Sequence, residues 1–460
     1  MRKLAKQHDF TEGNIVRQLF VFSGPIILAN LLQISYQFID SLWVGNLIGA
    51  DALGAVSISS TIMFTVLSFV IGLNNAALTI LSQQKGKKSE EGLKRYLNAF
   101  VVLLTGMSVV LSLVGVLLTD WVLQLMGTPA VMMPMASAYL KINFIGILFL
   151  FGYNFIGTVL RSVGDSKTPM YFVLIAVLLN AVLDPLFISV FGWGIEGVAY
   201  ATIFSQGIAF ATGAIYTLRK NLVPFTKPHV PAKREVADIL KLGIPAGLQM
   251  SVIAAGVMAI MSVVASFGPA VVAGYGAAQR LDSLIMLPAQ ALGTAVNSMA
   301  GQNIGAGKWD RVYRITFYGF LYNLTIMLSI ATFVVLFAEY GILLFIEETD
   351  AVRFGTGYLK MIAFFYPFLG INFILNGTVR AAGAMFQVLI LNILSFWVLR
   401  YPITYLFSEM FGEEGIAYGI GTSFVISSLF AFLYYRYGKW KDIPSFGEEE
   451  EEMEKAHRVR

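Results

Sequence analysis

GTVLRSVGD, running from Gly157 to Asp165, returns as GTVRAAGA from Gly377 to Ala384. The match extends outward in both directions. FGWGIEGVAYA from Phe191 returns as FGEEGIAYGI from Phe411, and SGP with Pro25 returns as GIP with Pro245. LSQQKGKK from Leu81 is matched by AGQNIGAGK from Ala300. The offset stays near 220 residues through all four pairs, which marks a tandem duplication. In a very hydrophobic chain, such a repeat implies a carrier built from two matched lobes. One charge breaks the match: Asp40 in the first copy has Ile260 as its counterpart. A charge kept in only one lobe points to that lobe as the working one.

Composition restricts the class further. The chain of 460 residues is 57% hydrophobic and 13% charged, with mean hydropathy +0.71. Soluble domains average about 25% charged. The net charge of +4 is modest and its lysines and arginines lie mainly in short connections, so no basic face is offered to nucleic acid. With no cysteine there is no disulfide, thiolate metal site or cysteine catalysis. Nothing in the residue pattern calls for a cofactor. The opening MRKLAKQHDFTEGN is polar and lacks a small-residue cleavage site, so it reads as a cytoplasmic leader rather than a signal peptide.

At about 20 apolar residues per crossing, twelve spans can be drawn. They cover 15–40, 51–81, 93–118, 134–160, 169–190, 194–218, 236–266, 275–303, 311–337, 354–380, 386–407 and 414–437. The expected fold is therefore an all-α integral membrane protein of 12 transmembrane helices. Its two six-helix lobes would be related by a pseudo-two-fold axis along the membrane normal, because an even number of spans per repeat inserts both copies the same way round. The expected divisions are a leader over 1–14, an N-terminal lobe over 15–219 and a linker over 220–235. A C-terminal lobe follows over 236–437, then a charged tail over 438–460. The linker region carries Pro224, Pro228 and Pro231. Of the 32 lysines and arginines, 27 fall at the chain ends or in and beside the even-numbered connections, while the odd-numbered ones carry only Arg353. The positive-inside rule then places both termini in the cytoplasm.

Span 1 carries Asn30, Gln33, Tyr36, Gln37 and Asp40 at spacings of three and four, one polar face in an apolar helix. Such a face lines protein or a water-filled cleft, not lipid. The amides alone would also suit an interhelical hydrogen-bond seam. Asp40 tilts the reading toward function, because a carboxylate removed from water disfavours its charged form, and protonation is what a proton-coupled carrier uses. In span 5, LLNAVLDPL places Asn180 and Asp184 four apart on one face, and Pro185 frees the carbonyl of Ala181. These groups could form a proton or small-cation site, or merely a helix-end aspartate held by neighbours. Pro25 sits deep enough in span 1 to bend it as a hinge, and Pro245 shows that the kink belongs to both repeats.

The remaining charged and soft residues are less specific. Lys360 matches Lys141, and a Lys360–Asp282 pair or snorkelling of the lysines would each offset the cost of burial. Arg161 and Arg380 in the matched motifs read as structural or orienting groups. Met63, Phe64, Phe144, Phe149, Phe151, Phe155, Met170 and Tyr171 suit an adaptable pocket for apolar cations, and equally suit packing or a lipid-facing surface.

Twelve spans in two parallel repeats, the paired GTVLRSVGD and GTVRAAGA motifs, and the aspartate of YQFIDSLWVG together resemble the multidrug and toxic compound extrusion (MATE) transporters, over roughly residues 15–437. The DinF-like branch is the nearer in pattern. That resemblance implies a multi-pass protein of a prokaryotic inner membrane with a first-lobe site at Asp40, Asn180, Asp184 and Thr202. Tyr36, Gln33 and Gln37, from the polar face of span 1, join Asn180 and Thr202 as the expected substrate- or cation-binding residues. The sodium-coupled branch uses acids in spans 7 and 10. Here span 7 from Gly243 onward reads GIPAGLQMSVIAAGVMAIMSVVASFG and span 10 offers Lys360, without a carboxylate in either stretch. The implied activity is export of lipophilic, mostly cationic small molecules in exchange for protons, or for sodium in their place. Asp40 and Asp184 would couple the exchange in a lipid-embedded monomer.

Three other readings fit less well. An aspartyl intramembrane protease wants glycine before its catalytic aspartate, whereas Ile39 precedes Asp40 and Leu183 precedes Asp184. Zinc or serine–histidine enzymes lack in-span histidine, since His8, His229 and His457 lie outside the spans. A flippase for lipid-linked oligosaccharides wants a cationic cavity. The in-span cations here are Lys141, Arg280, Lys360 and Arg400, while the first repeat's polar face is acidic.

Overall fold

Helices of 24 to 37 residues, each with an apolar stretch long enough to cross a membrane, satisfy their own backbone groups in lipid. The computed structural model describes residues 9–447. The first half forms α1 (Ile15–Leu47), α2 (Ala50–Gly86), α3 (Glu90–Leu125), α4 (Met133–Ile145), α5 (Ile147–Ser162), α6 (Lys167–Pro185) and α7 (Gly194–Arg219). The second forms α8 (Lys233–Ala265), α9 (Pro269–Ile285), α10 (Leu287–Gly305), α11 (Trp309–Leu343), α12 (Thr349–Ala363), α13 (Tyr366–Ala381), α14 (Met385–Ile393), α15 (Tyr401–Phe411) and α16 (Glu414–Tyr437).

All twelve predicted segments are helical, but three are not single rods. The fourth is α4 and α5, bent by 51° at Gly146, and the tenth is α12 and α13, bent by 54°. The eighth is interrupted between α9 and α10, where Pro288 occupies the first turn of α10. Proline has no N–H to give to the preceding turn and its ring crowds it, so the helix restarts there. Among the described residues, nine helices are long and apolar enough to cross a membrane, or eleven if each bent pair is one span.

The duplication is visible in backbone detail. The bends of the fourth and tenth segments match. Gly164 and Gly383, which end the paired GTV motifs, have φ of 93° and 91°, a conformation open to glycine without strain. Asp165 then caps α6 by accepting from the N–H groups of Lys167 and Thr168. Ala384 stands in the second copy and offers no such cap. Pro185 leads into a π-helical turn, Leu186–Val190, and the eleventh segment holds another, Leu394–Arg400.

Two compact units are present. Among the described residues, the first is Asp9 with Gly24–Gly243, and the second is Phe10–Ser23 with 244–447. The divisions at Ser23 and Gly243 are again 220 residues apart, and each lies two residues before a proline. Residues 10–14, read from sequence as leader, are held by the second unit. The Phe10 N–H donates to Gln302 Oε1 at 3.1 Å and its carbonyl accepts from Asn303 Nδ2 at 3.0 Å. Lys308 and Arg311 donate to the carbonyls of Thr11 and Gly13. Within the first unit, the linker is held in a similar way. Asn98 exchanges two hydrogen bonds with the His229 backbone, and the Tyr96 hydroxyl donates to Asp238 at 2.6 Å. The acidic run after residue 447, read as a charged tail, lies outside the described residues.

Candidate functional site in the first unit

In the first unit, α1 lies along α6 through Ala29, Leu32 and Tyr36 against Met170, Val173 and Val177. This brings the polar face of α1 to that of α6. Asp40 is 8% exposed, while Asn180 and Asp184 are fully buried. The carboxyl groups of Asp40 and Asp184 meet directly, so one proton held between them would join the two. Asn180 Nδ2 donates to Asp184 Oδ1 at 3.1 Å across one helical turn. The Tyr36 ring is in electrostatic reach of both acids, and its hydroxyl lies beside that of Thr202 on α7. Tyr139 on α4, buried at 6% exposure, also faces both acids.

Five buried oxygens in this cluster have no hydrogen-bond partner: Tyr36 Oη, Asp40 Oδ1, Asn180 Oδ1, Asp184 Oδ2 and Thr202 Oγ1. Unsatisfied buried oxygen costs about 1–3 kcal/mol per group. Two carboxylates in contact out of water also repel. A shared proton, or a hard cation that accepts oxygen ligands, relieves both costs together. No group of three or more His, Cys, Asp and Glu side chains suited to a metal is found among the described residues.

The predicted residues do not all gather here. Tyr36, Asp40, Asn180, Asp184 and Thr202 come together. Gln33 is exposed and lies by Tyr153, and Gln37 is exposed, with only its backbone carbonyl accepting from Ser41. Pro25 sits inside an uninterrupted α1. Tyr139 was not singled out from sequence. Two signals were available: Asn143 lies four residues on and shares its face, and the match of Lys141 with Lys360 places Tyr139 opposite Tyr358.

The other charges find their own partners. A Lys360–Asp282 pair does not form: Asp282 accepts from Tyr366 and, at 3.5 Å, from Tyr358, while Lys360 is exposed. Tyrosine hydroxyls reach the acid from α12 and α13 without the entropy cost of a long lysine chain. Lys141 pairs instead with Asp120 at 2.7 Å.

A family model described as MatE matches residues 25–186 and again 245–406, so the match itself is duplicated at an offset of 220. "Probable multidrug resistance protein YpnP" of Bacillus subtilis is 62% identical over 443 residues, covering 96% of this chain and all of that protein. "Probable multidrug resistance protein YoeA" of the same organism is 30% identical, covering 94% of this chain and 95% of that protein. A solved structure described as the outward-facing conformation of a multidrug resistance MATE family transporter of the MOP superfamily superposes with a TM-score of 0.89. It is 23% identical and covers 95% of this chain and 98% of the other. At that identity the likeness speaks for the fold, a twelve-helix arrangement of two lobes.

Proposed function

Because the chain belongs to the MATE family, we propose that it is a secondary active multidrug efflux antiporter that exports lipophilic, mostly cationic compounds in exchange for protons, with Asp40 as the main coupling carboxylate. The observation that supports this reading is the set of five unpartnered oxygens around two touching carboxyl groups. Such a cluster gains stability when it takes up a proton and loses it when the proton leaves. If a cationic substrate and a proton compete for it, protonation from outside weakens substrate binding and releases the substrate outward. Return to the inward-open state lets the proton leave to the cytoplasm, and rebending at Pro25 accompanies the exchange.

The first-lobe position of the acids agrees with a DinF-like site. The basic connections support cytoplasmic termini in the cell membrane. A monomer is sufficient, since both repeats lie in one chain. A sodium-coupled antiporter is the second reading, and one observation favours it: every unpartnered atom of the cluster is an oxygen, the ligand type of hard cations. The flippase reading has less support, because one of its candidate cations, Lys141, is already paired with Asp120.

Reconstituted protein, a lipophilic cationic dye and separately imposed proton and sodium gradients test the assignment. Dye export driven by the proton gradient and lost in Asp40→Asn is expected. Sodium-driven export would move the ion assignment and keep the antiporter. Proton-driven export unchanged in a folded Asp40→Asn would sink the role given to that residue.

A further inference from the structure

The second repeat replaces the acidic cluster residue by residue. At an offset of 220, Tyr36 becomes Gly256, Asp40 becomes Ile260, Asn180 becomes Arg400 and Asp184 becomes Thr404. The same offset holds at both ends of the duplicated family match. We propose that Arg400 and Thr404 form an anion-binding site, which takes the carboxylate of an amphiphilic aromatic acid. This goes beyond the export of cations argued above and does not rest on the ion that couples it.

Arg400 is 8% exposed and closes the π-helical turn Leu394–Arg400, an interruption of regular helix of the kind often found at functional sites. Its guanidinium lies over the rings of Phe396 at 3.8 Å and Phe424 at 4.7 Å. Nε donates to Ser423 Oγ at 3.2 Å. The rings and the serine fix the plane of the group. The removal of the Tyr36 counterpart helps here, because Phe396 packs against Gly256, where any side chain would collide with the ring. What remains is the outer edge. Neither Nη group has a hydrogen bond or an ion pair among the described residues, and neither is sealed from solvent. Asp282, the acid of this region, is engaged by Tyr358 and Tyr366. Four residues on, and so on the same helical face, Thr404 is fully buried with an unpartnered hydroxyl.

A buried cation without a counter-charge is costly, and a planar guanidinium held by its faces presents two parallel N–H donors that fit a carboxylate. The aromatic lining adds affinity for an aryl group beside the charge. A cationic substrate would be repelled at the same place.

Calorimetric titration of the purified full-length protein with benzoate, using benzyl alcohol as the neutral probe of the same shape, tests the site. Benzoate should bind about ten-fold or more tightly than benzyl alcohol, as expected for a charge-assisted pair. Arg400→Gln should abolish that preference, and Thr404→Val should weaken benzoate while leaving benzyl alcohol unchanged. Equal binding of the two probes to the parent protein would overturn the site, as would benzoate affinity retained in Arg400→Gln. Should Arg400→Gln fail to purify as a folded species, the parent comparison and Thr404→Val decide alone. No ion gradient is involved, so the site can fail while export of cations stands, and the reverse.

Discussion

Leucine in place of Asn180 keeps the branched shape and removes the hydrogen bond that Asp184 accepts from a side chain of its own helix. Asp184 would then be fully buried with neither oxygen engaged by that turn. A cost of about 1–3 kcal/mol is expected, read as a lower thermal midpoint of Asn180→Leu in detergent. An unchanged midpoint would mean that Asp184 is satisfied by its carboxyl neighbour alone. The same residues show what the sequence could reveal. Tyr36 and Asp40 are four apart and share a face, as do Asn180 and Asp184, so the polar stripe led to them. Gln33 is seven residues from Asp40, two turns and about 10 Å along the axis, so it shares the face without sharing the site. Gln37, three residues away, falls on the flank of that face and is exposed. Tyr139 has one polar neighbour at helical spacing, Asn143 four residues on, and a single pair does not mark α4 as a polar face. Its role comes from packing that brings α4 to the two acids.

The paired GTV motifs look alike in sequence and behave differently as elements. A Cβ at Gly157 would meet nothing nearer than Pro169 and Arg161, at 3.6 and 3.7 Å, ordinary contact distances. A Cβ at Gly377 would meet the backbone carbonyl of Gly293, because α13 and α10 approach through glycine there. Close backbone approach through small residues is a usual way for membrane helices to pack. Gly157→Ala is therefore expected to be tolerated. Gly377→Ala should cost about 1–3 kcal/mol by overpacking, visible as reduced folded yield and thermal midpoint. Equal behaviour of the two variants would refute the close approach. This difference was not legible from the motif, since it depends on which helix lies opposite. The broken segments were missed for a related reason. Apolarity continues through Gly146, Met286 and the 364–365 step, so a reading by hydropathy runs each pair together. The local signals were Gly146, Pro288 and Pro367, each of which membrane helices can also tolerate without breaking.

At the scale of the whole chain, the duplication and the bias of positive charge were the most legible features, because both are sums over many residues. The boundaries of the compact units were not. Residues 10–23 belong with the second unit through hydrogen bonds to Gln302, Asn303 and Arg311, a pairing across almost 300 positions that no local pattern announces. Orientation follows from the charge bias and has a clean test, because the chain contains no cysteine that would give background labelling. Lys227 in the linker and Glu348 before α12 are both exposed, so a thiol at either would be reachable from its own side. With both termini in the cytoplasm, Glu348→Cys should react with a membrane-impermeant maleimide in intact cells. Lys227→Cys should react only after the membrane is opened. The opposite pattern would invert the protein. It would also place the linker, its basic residues and the strap at residues 10–14 on the outer face, against the electrostatic preference that Lys and Arg show for the cytoplasmic side.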